Sequence, residues 1–429
     1  PSTPEFISKL DWLPEKEGAL RGIGDKFYSL AVFYGFRPLQ TSLIEDPVVF
    51  SALARGGALD DRPVLAAKTK SGKEIILRSS LALSMIRAYL THKMNDLPHP
   101  IKFFSEGAVV FLGSKREEII EGQRELVLEM IGEEGPVAEA EILHIFWKGI
   151  IESGIKLDEL GVRVNAAGCS SCRGAFRSSF LSHFRSRAAR LCKNCKKYIR
   201  RSPTKVLVCE EEKCKIVSGH HPQVLDFLCE TCKKHLRVFL EFLDEIPIPY
   251  FLDPRFFREG AGVSVLIFEI LIRRKIVVET GEGEEKIVLV EGGRISRAAE
   301  FMAGKKLDVV YGALNLGVCA GFMKKTAAEE VQDGNAVFFS QLGELAKRKS
   351  LGLIELLRQE KIEVRESLGR DSIKSQLKTA EKLGCPVALI LGQKEALDNT
   401  IIVRETDSGI QETVPQDRLI EFLKKKLKK

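Results

Sequence analysis

Apolar positions change rhythm several times along the chain, and each change marks an element. Residues 5–35 repeat apolar side chains at helical spacing and predict a helix. "FRPLQTSLIED" follows as strand and loop, and "EIILRSSLALSMIRAYLTHK" as a strand running into a helix. Residues 103–132, "FFSEGAVVFLGSKREEIIEGQRELVLEMIG", read as strand, charged loop and strand, an antiparallel pair, ahead of a helix over "PVAEAEILHIFWKGIIESG". Strands resume at "IPYFLDPRFF" and continue through "VSVLIFEILIRRKIVVET", "KIVLVEGG" and "LDVVYGALNLGV". Antiparallel strands with helices on one side predict an α+β core. After "AAEEVQDGNA", from about residue 335, strand and helix alternate, which predicts an α/β domain with a mostly parallel sheet.

One stretch breaks this pattern. Eight of the ten cysteines fall in "CSSC" (169–172), "CKNC" (192–195), "CEEEKC" (209–214) and "CETC" (229–232). Paired cysteines at these spacings read as thiolate ligands of zinc, which takes four tetrahedral ligands, so four pairs predict two closed structural sites. The polar His220–His221 pair is not needed as ligand. Phe176, Phe180, Phe184 and Ala188 recur at steps of four within 173–191, predicting a helix roughly 28 Å long. Its two ends cannot share an ion. "KKHLRVFLEFLDE" reads as a helix running back to the main body, placing Cys229 and Cys232 at the far end. The expected pairing is therefore Cys169, Cys172, Cys209 and Cys214 near the core, with Cys192, Cys195, Cys229 and Cys232 beyond it. Cys319 and Cys385 sit in apolar strand contexts and read as packing.

Charge sharpens the picture at this stretch. The net charge is +7, yet Cys169–Arg237 holds sixteen Lys/Arg against five Asp/Glu, a local +11. A dense basic module points to a polyanion partner. The Lys424–Lys429 tail reads as a solvated helix end. Hydrophobic content of 44% and charged content of 29% are those of a globular protein. "VSVLIFEILI" falls far short of the roughly 20 apolar residues of a membrane span. No signal peptide is visible in "PSTPEFISKLDWLPEK", so a cytoplasmic location is expected. His92, His99, His144, His183 and His235 show no paired acid or nucleophile.

The order of segments resembles a bacterial histidyl-tRNA synthetase, a class II aminoacyl-tRNA synthetase, over nearly the whole chain. "IKSQLKTAEKLGCPVALILGQKEALDNTIIVRETDSGIQETVPQDRLIEFL" resembles that family's anticodon-binding domain, and "NAAGCSSCR" with the later cysteine pairs resembles its zinc-bearing insertion. "YGFRPLQTSLIEDPVVF" lines up with motif 1, the dimer interface, and "EGGRISRAAEFMAG" with the glycine-rich turn leading to motif 3. The resemblance implies a class II antiparallel core over 1–165 and 246–330, a zinc-bearing helical insertion over 166–245, and an anticodon-binding-like domain over 335–429. It also implies a homodimer, ATP-dependent activation of histidine and a tRNA partner.

The catalytic positions depart from the family pattern. Phe111 stands where motif 2 carries the arginine that grips the ATP α-phosphate. Val318 stands at the motif 3 arginine, Ser80 at a glutamate for the substrate's amino group, and Ser42 at the motif 1 proline. In "REGAGV" Arg258 is kept but both tyrosines of the histidine-specific motif are gone. Arg78 and Glu129 are also kept, and Arg258 and Glu129 are expected to satisfy each other or the backbone. A guanidinium offers forked donors and permanent charge to phosphate, and Phe or Val offers neither. No catalytic residue is therefore assigned, and ATP is not expected to be held. A register slip recruiting Arg116 or Arg124 would mend motif 2 alone. The leading expectation is a synthetase-like RNA binder without aminoacylation activity. An authentic divergent ligase and a regulatory protein-binding subunit are the alternatives.

Overall fold

The computed structural model describes residues 11–47, 64–112, 120–201, 203–207, 209–258, 262–278, 281–322, 336–366 and 372–427. The chain forms two compact units, 1–324 and 325–429.

In the first unit, α1 (Pro14–Phe33) opens on a proline whose fixed φ suits a first helical turn, and it buries Leu20, Ile23, Phe27 and Ala31. It ends at Tyr34 and Gly35, where φ of +80° turns the chain away. Next come β1 (Arg37–Pro38), β2 (Ile44–Glu45), β3 (Ala66–Lys68), β4 (Glu74–Leu77), α2 (Leu81–Thr91), β5 (Ile101–Leu112) and β6 (Ile120–Ile131). They are followed by α3 (Val137–Glu152), β7 (Leu160–Gly168), α4 (Ser170–Ser186), α5 (Lys193–Arg201), α6 (Glu212–Gly219) and α7 (Glu230–Glu245). The unit closes with β8 (Tyr250–Leu252), β9 (Ser264–Val278), β10 (Gly281–Arg294), α8 (Ser296–Ala303), β11 (Val309–Asn315) and α9 (Leu316–Ala320).

Eight strands make one sheet in the order β1-β5-β6-β11-β10-β9-β7-β8, antiparallel except for the two short edge strands. Side chains alternate across it, as pleating requires. Leu126, Leu128 and Met130 of β6 face a core shared with α1 and α3, while Val127 and Ile131 face a second core with α2 and α8. Helices thus cover both faces, where the sequence pattern placed them on one. Gly312 lets α3 lie close to the sheet, since a Cβ there would meet Phe146 at 2.6 Å and Ile142 at 2.7 Å.

The expected helix over 173–191 stops at Ser186, and Ala188 belongs to a separate 3₁₀ turn. Phe176, Phe180 and Phe184 form its buried stripe as expected. Helix α7 lies along α3, β7 and β9 and buries Leu236, Phe239 and Leu243. It therefore packs on the core along its length instead of returning from a distant tip.

The second unit contains β12 (Val337–Gln341), α10 (Glu344–Gln359), β13 (Val364–Glu366), α11 (Ile373–Lys382), β14 (Val387–Leu391), α12 (Gln393–Asp398), β15 (Thr400–Glu405), β16 (Gln411–Pro415) and α13 (Leu419–Lys426). Strand order is β13-β12-β14-β15-β16. The sheet is parallel on one side only: β12 pairs parallel with β13 and β14, and β15 pairs antiparallel with β14 and β16. This corrects the mostly parallel expectation, because β15 and β16 are joined by a short turn that permits only antiparallel pairing. Fully buried "VFFSQ" and "VALIL" mark the two central parallel strands. In the C-terminal lysine run, Lys424 pairs with Glu360 and Lys426 with Glu405, so these two are tied to the unit's surface.

Candidate functional site

Residues opposite each other on paired strands share a face. One row crosses six strands: Ser105, Val127, Ala313, Glu291, Glu269 and Arg163. On the same face, the neighbouring row to one side holds Phe103, Glu129 and Tyr311, and that to the other side holds Gly107, Glu125 and Asn315. The polar positions kept from the catalytic pattern lie on or over this face.

Arg78 follows β4 and reaches across Gly107, where a Cβ would sit 2.1 Å from its Nη2. Its Nε donates to Ala108 O at 2.7 Å, and its Nη1 donates to Thr41 O and Thr41 Oγ1, both at 3.0 Å. Burial pushes its pKa down, against the pull of Glu45 and Glu125. The guanidinium ties three segments together through their backbone. Ser80 is the N-cap of α2 and its hydroxyl accepts from Leu83 N–H at 3.4 Å. Ser42 plays a similar local part, accepting from Ile44 N–H at 3.1 Å.

Arg258 does not meet Glu129, contrary to the expectation that these two satisfy each other. Its Nη2 donates to Glu269 Oε1 at 2.8 Å and Glu291 Oε2 at 2.7 Å. Glu269 also accepts from Arg163 Nε at 3.0 Å, and Arg163 lies 3.5 Å from Asp253. The outcome is a ladder of alternating charge along the sheet face. The rest of "REGAGV" up to Ala261 lies outside the described residues. Glu129 is fully buried in β6, and neither carboxyl oxygen has a hydrogen-bond partner among the described residues. Burial pushes its pKa well above the ordinary 4.5 and so favours the neutral acid.

Phe111 sits in β5 opposite Glu121 and packs against the α2–α8 core. Val318 lies inside α9, and its N–H donates to the Asn315 side chain at 3.1 Å. Arg124 is bound by Glu17 at 2.8 and 2.9 Å and by Glu106 at 2.6 Å, so it holds α1 to the β5–β6 pair. Arg116 lies outside the described residues.

The eight cysteines gather in two groups of four, but not in the expected pairing. Cys169, Cys172, Cys229 and Cys232 form one cluster, and Cys192, Cys195, Cys209 and Cys214 the other, with sulfurs inside 4.8 Å of one another. The cause is the placement of α7. Its start lies at the base of α4, where Cys229 N–H donates to Cys172 Sγ at 3.1 Å. The S···S separations of 3.5 Å (Cys169–Cys172) and 3.9 Å (Cys169–Cys229) suit the roughly 3.8 Å edge of a tetrahedron with Zn–S near 2.3 Å. The donor sets fit zinc, and all ten cysteines are free. Burial opposes ionisation of Cys169, but hydrogen bonds from Cys172, Ser171 and Cys232 together outweigh it and lower its pKa to about 6. His220 and His221 stay outside, their Nδ1 atoms 3.1 Å from Ile216 O and 2.7 Å from Pro222 O.

The structure also assigns partners that the sequence did not. His235, read as lacking an acid, has its Nε2 2.9 Å from Glu139. Glu139 accepts two bonds from Arg294, at 2.9 and 3.0 Å, and Arg294 reaches Asp308 at 3.1 Å. This buried network links α7 to α3 and to the end of β10. Its partners are 96 and 155 residues apart in sequence, beyond any local signal.

Comparison with known proteins gives a consistent picture. Residues 338–426 match the family described as "Anticodon binding domain". "Histidine--tRNA ligase" of Caldicellulosiruptor bescii is 26% identical over 431 residues, covering 98% of each chain. That of Halothermothrix orenii is 27% identical over 419 residues, covering 97% of each. Among solved structures, apo S. aureus histidyl-tRNA synthetase superposes with a TM-score of 0.75 at 23% identity, covering 99% of this chain and 100% of that one. An "ATP phosphoribosyltransferase regulatory subunit/histidyl-tRNA synthetase" from Bacillus halodurans C gives 0.59 at 13%, covering 86% and 94%. At these identities the solved structures speak to the fold alone.

Proposed function

We propose that this chain, a member of the histidyl-tRNA synthetase family, binds tRNA or a tRNA-like RNA and does not form aminoacyl adenylate. The observation that carries the reading is the commitment of both retained arginines. Arg78 is held by backbone carbonyls, and Arg258 by two carboxylates. Adenylate formation rests on preorganised cations at the phosphates, and losing one such donor costs roughly 3–4 kcal/mol at a transition state. Here Phe111 and Val318 supply none, and Ser80 caps a helix where a substrate carboxylate would be needed.

RNA binding draws its support from the anticodon-binding-type unit and the +11 module. The reading includes zinc at both cysteine clusters, a homodimer and a cytoplasmic location. Exposed Tyr28, Val32 and Phe33 along α1 supply apolar surface for a second copy. Among the described residues no helix is long and apolar enough to cross a membrane.

Histidine-dependent ATP–pyrophosphate exchange tests the loss of chemistry, and filter binding of a tRNA transcript at low salt tests the retained function. No exchange with measurable RNA affinity is the expected pair of results. The second reading, a working divergent ligase, is favoured by relatives of that name matching 97–98% of the chain. Exchange above background would establish it. The Bacillus halodurans structure supports a regulatory-subunit reading through fold alone, and fold does not choose function.

A further inference from the structure

Between α5 and α6 lies an open groove of about 640 Å³. Arg190, Lys193, Lys196 and Lys213 line it and no carboxylate does, while Leu191 and Val217 are its buried apolar residues. Lys213 pairs with Glu211 at 3.2 Å. Among the described residues, no ion pair joins Arg190, Lys193 or Lys196 to an acid. Both walls are anchored in one cysteine cluster. Cys192 and Cys195 open α5, Cys214 lies in α6, and Cys192 N–H donates to Cys214 Sγ at 3.3 Å. Zinc held by four thiolates is net dianionic, so four cations leave surplus positive charge over the groove. Lys193 and Lys196 stand one helical turn apart, with about 5–6 Å between Cβ atoms, and point a paired charge at one side of it.

We propose that this groove binds the phosphate backbone of structured RNA, and that metal at the Cys192–Cys195–Cys209–Cys214 cluster sets its width by fixing α5 against α6. The inference rests on the RNA-binding reading and adds where the backbone lies and what controls the site. Its ligand is a phosphodiester chain, read by charge and shape without base contacts.

The test uses the zinc-loaded full chain and a tRNA transcript, with filter binding across a salt series. Lys193→Ala with Lys196→Ala is expected to flatten the slope of log K against log salt by about 1.5, at roughly 0.7–0.9 for each phosphate that is no longer neutralised. Lys233→Ala with Lys234→Ala, on α7 away from the groove, is the control and should change the slope less. Cys214→Ser should take zinc from two ions to one and weaken RNA binding to the level of the lysine variant, with the first cluster's zinc reporting a retained fold. If the wild-type chain binds no RNA, the functional reading falls. If it binds and the groove variant keeps its slope, or matches the control, the groove assignment alone falls. Undiminished binding by Cys214→Ser at one zinc per chain removes the metal's role. Competition by polyglutamate at equal charge concentration as strong as that by the transcript overturns the phosphate assignment.

Discussion

Arg258 Nη2 lies 2.8 Å from Glu269 Oε1, and Glu269 is also the acceptor for Arg163, so one nearly buried carboxylate holds two guanidinium groups. Removing either arginine leaves Glu269 one partner, whereas removing Glu269 takes a carboxylate from both cations at once and leaves Arg258 on Glu291 and Arg163 on Asp253. Glu269→Ala should therefore destabilise the chain by about 3–5 kcal/mol, the usual cost of breaking a buried pair, and Arg258→Ala by distinctly less. Urea midpoints for the two variants check this. A larger loss from Arg258→Ala would mean that the arginine has another role on this face.

Glu129 has the opposite problem, a buried carboxyl with no partner among the described residues. Its folded pKa is raised above the ordinary 4.5. Below that value both folded and unfolded states hold the proton and the group costs nothing through ionisation. As pH rises through 4.5 the unfolded chain releases its proton while the folded chain keeps it, so stability falls until the folded pKa is passed. Glu129→Gln removes this pH-dependent cost. Thermal melts should show the variant gaining on the wild type from pH 4 toward pH 8, by about 1.4 kcal/mol for each pH unit over which only the unfolded chain is ionised. A constant difference across that range would contradict a raised pKa.

These two cases mark where the sequence could and could not be read. The β5–β6 pair was legible because both strands are long and alternate between two cores. The Phe176–Phe180–Phe184 stripe was legible because helical periodicity is local. Arg258 with Glu291 was not, since a strand register had to be known before the two could be placed together. The cysteine pairing failed for a related reason. Burial of Leu236, Phe239 and Leu243 against the core decides where α7 begins, and no spacing between cysteines encodes that. Departures such as Phe111 and Val318 were visible as residues, but their surroundings needed the fold.

Ser80 has a structural duty that explains why a small hydroxyl suits the position. It satisfies one of the free N–H groups at the start of α2, and an N-cap lost to alanine costs about 1 kcal/mol. Ser80→Ala should lower the unfolding free energy from urea titration by that amount, and Ser80→Asp, which can still cap, should recover most of it. Neither variant should gain pyrophosphate exchange, because Phe111 and Val318 remain. Equal stability of all three chains would argue that the cap is immaterial.

The metal sites allow a sharper test through paired substitutions. With Cys169 and Cys229 in one cluster and Cys209 in the other, a Cys169→Ser/Cys229→Ser chain should keep one zinc of two. A Cys169→Ser/Cys209→Ser chain should lose both, since each remaining set has three thiolates and a weaker grip. The pairing expected from sequence predicts the reverse, with the second chain keeping one zinc. Metal analysis after dialysis against a mild chelator separates them, and the second chain should also lose helical signal because folding of such modules is coupled to the metal. One zinc retained by Cys169→Ser/Cys209→Ser, with none in Cys169→Ser/Cys229→Ser, would show that α7 starts beside α5 instead of α4, and the packing of the whole insertion would have to be redrawn from there.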